Sequence, residues 1–190
     1  MSNYKTVFFI LGVLQIILGL SMIVPIMAQF YYNQVDSGFI GSGLVSIIFG
    51  VLFFLSNLDY EKKLTLPQAF LLTALSWLSI AIFGSLPFVF SDLSLSFTNA
   101  FFESMSGITT TGSTILTNLN ETPKAILLWR AMLQWLGGIG IIVMAITLMP
   151  IMNIGGMQLF VISNTHTPEK ILPKSKEISI RLIVIYSSLT

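Results

Sequence analysis

The stretch Phe101-Phe102-Glu103-Ser104-Met105-Ser106-Gly107-Ile108-Thr109-Thr110-Thr111-Gly112-Ser113-Thr114 decides how the chain is read. It lies between two long apolar segments, yet it is too short and too polar to cross a bilayer. Its first half reads as a short helix-like run, its second as three threonines, a glycine and two further hydroxyl residues. Lipid cannot satisfy free N–H and C=O groups, so such a loop at membrane depth must be buried in protein or line a water-filled path. The stretch is therefore a candidate pore lining.

The flanking sequence supplies the membrane. Of 190 residues, 54% are hydrophobic and only 9% charged, with a mean hydropathy of +0.87, whereas soluble domains are about one quarter charged. The formal net charge of +1, with no dense Lys/Arg block at either end, gives no case for nucleic-acid binding. Cysteine is absent, which excludes disulfides and thiol sites, and the single histidine, His166, cannot form a metal cluster by itself. There is no phosphate-binding glycine loop, nucleophile-base pair or set of intramembrane acids poised for proton relay, so the chain is read as neither an enzyme nor a hydrolysis-driven pump, and no cofactor is expected.

Taken in order, Thr6 to Val35 carries no charge, and Val7 to Met27 is long enough to span about 30 Å of hydrocarbon. No small-residue cleavage site follows, so this reads as a retained first span rather than a signal peptide. Pro25 is expected to kink or end it, and Tyr31 and Tyr32 to lie in the interfacial aromatic belt. Gly38 to Leu58 is the second span. Its Ser42, Ser46 and Gly50 recur every four residues, which suits either close helix packing or a lipid-facing helix with scattered small residues. Leu64 to Ser91 is the third span, with Pro67 in its first turn and Gly84 and Pro87 loosening its far end. Ala125 to Met149 is the fourth, and the mixed, largely polar run that follows carries Gly155, Gly156, Pro168 and Pro173 as breakers. The expected fold is an all-α integral membrane protein. Residues 1–63 form a two-helix membrane segment and 64–152 a helix, re-entrant loop, helix unit like that of a cation channel. Residues 153–178 form a cytoplasmic linker, and 179–190 begin a further helix.

Charge gives the orientation. If the odd stretch re-enters without crossing, Lys5, Lys62, Lys63, Lys170, Lys174, Lys176 and Arg181 share one side, while Lys124 and Arg130 accompany Asp36, Asp92 and Glu121 near the other. The positive-inside rule then makes the N-terminus cytoplasmic and brings the loop in from outside. A crossing stretch would put Lys170 to Arg181 outside, so charge supports re-entry independently of loop composition.

Span, short helix, threonine-glycine loop and span suit cation passage on physical grounds. A dehydrated K⁺ needs backbone carbonyls in place of its hydration shell. Glycine reaches positive φ and lets the chain approach an ion, threonine adds a hydroxyl, and a short helix aimed C-terminus first presents its negative end.

The string from Ser106 to Ser113, followed by Leu128-Trp129-Arg130-Ala131-Met132-Leu133-Gln134-Trp135-Leu136-Gly137-Gly138-Ile139-Gly140-Ile141, resembles the first pore repeat of the Trk/Ktr/HKT superfamily of potassium uptake proteins, and within it the bacterial Trk membrane subunits. The two preceding spans resemble that family as well. The resemblance implies K⁺ uptake, with Thr110, Thr111, Gly112 and Ser113 as the filter strand, Thr109 and Thr114 flanking it, and K⁺ held at Thr110, Thr111 and Gly112. In such proteins a serine at the filter glycine goes with sodium permeation, and Gly112 here favours potassium. The family builds a pore from four repeats, works as a homodimer, docks on a cytoplasmic nucleotide-binding regulatory subunit and resides in the bacterial plasma (inner) membrane. One repeat cannot enclose a path, so the preferred reading is the N-terminal part of a longer protein, the other being assembly of four copies. A non-conducting membrane scaffold and a sodium-permeable transporter of the same superfamily are the rival functions.

The supporting residues keep open readings. Glu103 suits a place behind the filter, a pairing with Arg130, or a solvated surface position. Arg130, one turn into the fourth helix, suits anchoring better than ion contact, since a fixed cation repels K⁺. Gln134 is expected to satisfy backbone or loop groups, and Gly137, Gly138 and Gly140 to permit close packing, with a hinge as second choice. Trp77, Trp129 and Trp135 are read as packing residues, and His166 as a cytoplasmic loop residue.

Overall fold

The first span is one run of helix with a break in it. Helix α1 covers Lys5–Ser21 and α2 covers Ile23–Tyr31, and together they are long and apolar enough to cross a membrane. The break at Met22 follows from Pro25, which has no N–H for the Ser21 carbonyl and whose ring crowds it. Locally the chain tightens, Met22 N–H reaching the Gly19 carbonyl at 3.3 Å and the Ser21 hydroxyl donating to the Leu18 carbonyl at 2.7 Å. This computed structural model describes residues 4–34, 36–60, 64–93, 95–152 and 180–188. Lys62, Lys63, the expected linker over 153–178 and His166 with it lie outside the described residues.

Helix α3, Gly38–Ser56, runs antiparallel to α1. Asp36 starts it by accepting the Gly38 N–H at 2.9 Å. The two helices touch backbone to backbone: a Cβ on Gly12 would lie 2.6 Å from the Phe54 nitrogen, and one on Gly50 2.8 Å from the Gly12 carbonyl oxygen. Ser42 and Ser46 are fully buried and Gly50 is buried with them. Of the two readings of this small-residue face, the packed one holds here, because only small side chains admit such an approach.

Helix α4, Leu66–Phe90, has proline in its first turn, and Thr65 N–H donates back to the Gln68 side chain at 2.9 Å. It runs through Pro87 without interruption and stops where Ser91 turns extended. Two further helices follow, α5 over Phe97–Ile108 and α6 over Lys124–Met152. The core gathers Phe39, Phe88, Ala100, Trp129 and Leu133 from four helices, with Met22 from the break between α1 and α2. Trp129 meets Phe39 edge-on at 6.2 Å and gives its indole N–H to the Gly84 carbonyl at 2.9 Å. Apolar side chains such as Ile17, Leu20, Leu44, Ile48 and Leu52 face outward, as a lipid-facing surface requires.

The described residues are all helical or loop, with four helices fit to span a bilayer. The chain divides into two compact units, Met1–Gly137 and Gly138–Thr190. The second unit contains the end of α6 and a helix over 180–188, and within it a Cβ on Gly138 would lie 2.5 Å from the Tyr186 hydroxyl.

Candidate functional site

Helix α5 is 12 residues long, about 18 Å at 1.5 Å per residue, which is too short to cross the hydrocarbon. Ser96 caps its start, accepting the Asn99 N–H at 3.3 Å in the usual manner of a serine N-cap. Glycines bring its neighbours against it. A Cβ on Gly84 of α4 would stand 2.7 Å from Ser104 Oγ, one on Gly107 would stand 3.0 Å from Leu133 Cβ, and one on Gly137 of α6 would collide with the Ile108 carbonyl. The helix is thus held between α4 and α6 with its C-terminus fixed.

Beyond Ile108 the chain folds back on that C-terminus. Thr109 N–H reaches the Met105 carbonyl at 3.0 Å, Thr110 N–H the Gly107 carbonyl at 2.9 Å, and the N–H groups of Thr111 and Gly112 the Ser106 carbonyl at 3.0 and 3.3 Å. Thr109 has φ −80°, Thr110 +58° and Gly112 +78°, with Thr111 between them on the negative side. This alternation of hand lets successive N–H groups converge on one side. The peptides are trans, so each N–H directed at α5 turns the preceding C=O away from it. The carbonyls of Thr109, Thr110 and Thr111 therefore point to the opposite side, where residues 109–115 are exposed. For the β-branched Thr110 a positive φ is a true outlier, costing about 1–3 kcal/mol. The Thr109 hydroxyl donates to the Met105 carbonyl at 2.7 Å and lies 2.9 Å from the Thr111 hydroxyl, which settles Thr111 as the donor of that second bond.

Glu103 has no exposed surface and pairs with Arg130, Oε2 to Nε at 2.7 Å. Its other oxygen accepts two hydrogen bonds at 2.6 Å, from the Thr114 hydroxyl and the Ile115 N–H. The Thr114 hydroxyl in turn accepts the Leu116 N–H at 3.0 Å. A buried carboxylate needs this full set of partners to offset its lost hydration. Gln134 lies beside Gly112, its Nε2 3.7 Å from where a Cβ on that glycine would be. Ser113 differs from its neighbours, because its carbonyl accepts the Ser106 hydroxyl at 2.6 Å and so faces α5.

The structure thus gathers Glu103, Arg130, Gln134 and the 109–113 segment at one helix end. Two contributors were not singled out from sequence: Ser106, and Thr114 as the partner of Glu103. Their signal was spacing, since Glu103 and Ser106 lie three residues apart on one helical face. Among the described residues no cluster of His, Cys, Asp and Glu could hold a metal ion.

Fold and site together define a multi-pass membrane protein in which a short helix, buried toward its C-terminus, and a re-entrant loop lie between two spans. The model of the TrkH family, described as cation transport protein, matches residues 5–190, and the chain belongs to that family. It is 37% identical over 95% of its length to the Trk system potassium uptake protein TrkI of Halomonas elongata. It is also 37% identical, over 99% of its length, to the Trk system potassium uptake proteins TrkH of Vibrio parahaemolyticus and Escherichia coli. The crystal structure of the potassium transporter TrkH from Vibrio parahaemolyticus superposes with a TM-score of 0.85 and 34% identity, covering 99% of this chain and 38% of that one. The chain spans 37–40% of the length of these curated relatives.

Proposed function

We propose that this chain is the first pore repeat and the two preceding spans of a K⁺ uptake transporter. K⁺ enters from outside, sheds water against the carbonyls of Thr110, Thr111 and Gly112, with Thr109 and Ser113 flanking them, and moves inward down its electrochemical gradient. The observation that carries this reading is the tethering of N–H groups 109–112 to the end of α5, which directs the opposite carbonyls to the exposed side. Glu103, Arg130 and Gln134 hold the loop rather than touch the ion: the Arg130 charge is neutralised by Glu103 at 2.7 Å, so it opposes a passing cation little. Residues 1–63, 64–152, 153–178 and 179–190 serve as leading two-helix segment, pore repeat, linker and next helix. The remaining repeats, a homodimeric assembly and a cytoplasmic nucleotide-binding regulatory subunit complete the transporter, which sits in the bacterial inner membrane with its N-terminus cytoplasmic.

The test is K⁺-limited growth and Rb⁺ uptake in a bacterium stripped of its own K⁺ importers, comparing the full-length gene with its Gly112→Asp variant. Rescue by the parent and at least a tenfold loss in a variant that reaches the membrane is the expected outcome. Equal rescue by both would mean that the threonine loop is only an outer connection of a scaffold.

A further inference from the structure

The hydrogen bond from the Ser106 hydroxyl to the Ser113 carbonyl turns over one peptide in a segment that otherwise presents carbonyls outward. At Thr109, Thr110 and Thr111 the carbonyls point away from α5, because the N–H groups that follow them are bonded to its last turn. At Ser113 the order is reversed, the carbonyl being directed at α5 across 2.6 Å, so trans-peptide geometry sends the Thr114 N–H to the exposed side. At Ile115 the N–H faces α5 again, bonded to Glu103 at 2.6 Å. The exposed side thus carries the carbonyls of Thr109, Thr110 and Thr111, then the Thr114 N–H as a donor, and beyond it the Thr114 carbonyl, and a cation is attracted to the acceptors and repelled by the donor that interrupts them. Ser106 is buried and fixed on a helix that Gly84, Gly107 and Gly137 hold on both sides, so its hydroxyl is a rigid post rather than a loop contact.

We infer that Ser106 is a specificity-determining positioning residue, whose hydroxyl withdraws the Ser113 carbonyl and so interrupts the row of ion-facing carbonyls in this repeat at Ser113. It rests on the reading of the threonine loop as a cation filter. Without the hydroxyl, the 113–114 peptide is free to rotate, and its carbonyl becomes a loosely held extra ligand. A mobile carbonyl closes around a smaller ion that a fixed row holds poorly, so discrimination against Na⁺ falls while the loop itself persists through the Glu103 bonds.

The experiment measures Rb⁺ and Na⁺ uptake by the full-length transporter in the importer-free strain, each normalised to protein in the membrane, for Ser106→Ala, Ser106→Cys, Ser106→Thr and Gly112→Asp. The Rb⁺ to Na⁺ ratio is expected to fall about fivefold in Ser106→Ala, the ratio equivalent to one neutral hydrogen bond. A smaller fall is expected in Ser106→Cys, whose thiol is a weak donor, and the parent ratio in Ser106→Thr, which keeps the hydroxyl. If Ser106→Ala does not reach the membrane, Ser106→Cys gives the reading. An unchanged ratio in both, or an equal fall in Ser106→Thr, would overturn the inference while loss of Rb⁺ uptake in Gly112→Asp leaves the filter reading standing. Parental Rb⁺ uptake in Gly112→Asp would instead remove the filter reading and this inference with it.

Discussion

Between α1 and α3 two regular helices, whose backbone bonds are already closed, meet backbone to backbone at glycines. Around residues 109–115 the backbone is irregular, and side chains have to close its bonds: Glu103 takes a hydroxyl and an N–H, and Ser106 takes hold of a carbonyl. In the first region removing an atom leaves a gap and adding one causes a collision. In the second, removing a polar group orphans several others at once. The same membrane-buried chain therefore has a sterically sensitive half and an electrostatically sensitive one.

Glu103→Ala breaks the contrast most severely. It leaves Arg130 without its counter-charge, and the Thr114 hydroxyl and Ile115 N–H without an acceptor, for a loss of about 3–5 kcal/mol. Thermal melting of the solubilised full-length protein should drop sharply, with transport lost, while Glu103→Gln keeps the shape and loses less. A variant melting like the parent would mean that the buried pair contributes little to holding the loop.

Gly12→Ala attacks the other half. Its Cβ would lie 2.6 Å from the Phe54 nitrogen, so α1 and α3 must part, at about 1–3 kcal/mol. Here melting is expected to fall while Rb⁺ uptake per folded molecule and its ratio to Na⁺ stay at the parent values. A changed ratio would show that the two regions are coupled.

The next pair sharpens the comparison inside the loop. Gly112→Ala meets no neighbour, only Gln134 Nε2 at 3.7 Å, but its φ of +78° costs an L-residue about 1–2 kcal/mol. Thr110→Gly relieves a comparable strain at φ +58°, and its melting temperature should rise while Rb⁺ over Na⁺ discrimination declines. Melting curves and uptake ratios moving together in Thr110→Gly would argue against strain as part of the site.

The smallest effect is expected at Gln15. Its Nε2 donates to the Ser79 hydroxyl at 2.6 Å, but its Oε1 is buried without a protein partner. Replacing both ends, Gln15→Leu with Ser79→Ala, removes a half-satisfied polar pair and should change stability by no more than about 1 kcal/mol in either direction. A large loss in the double variant's melting would reveal a further partner for Gln15.

The spans and the short helix between them were legible because they rest on run length and on apolar composition, which are local properties. Pro25 foretold a break, although its place at Met22 depends on which carbonyl loses its donor. Pro87 stands inside α4 and does not end it: the helix continues to Phe90, and the Ser91 N–H bonds to the Pro87 carbonyl at 3.1 Å. The small-residue face at Ser42, Ser46 and Gly50 could not be told from a lipid-facing one until α1 lay against it. Loop chemistry was visible in Thr109 to Ser113 as a set of residue types, but the reversed peptide at Ser113 was not, because one hydroxyl on the preceding helix decides it.

The way the loop folds back on α5 also changes what the end of that helix does. Its last carbonyls do not stand open toward solvent; those of Met105, Ser106 and Gly107 are occupied by the N–H groups of residues 109–112. Each occupied peptide is polarised by the one behind it, so the partial negative charge of the helix end is handed forward to the carbonyls on the far side of the loop. The end of the short helix and the threonine run then form one set of aligned peptide dipoles, whose negative side is presented by the carbonyls of Thr109, Thr110 and Thr111.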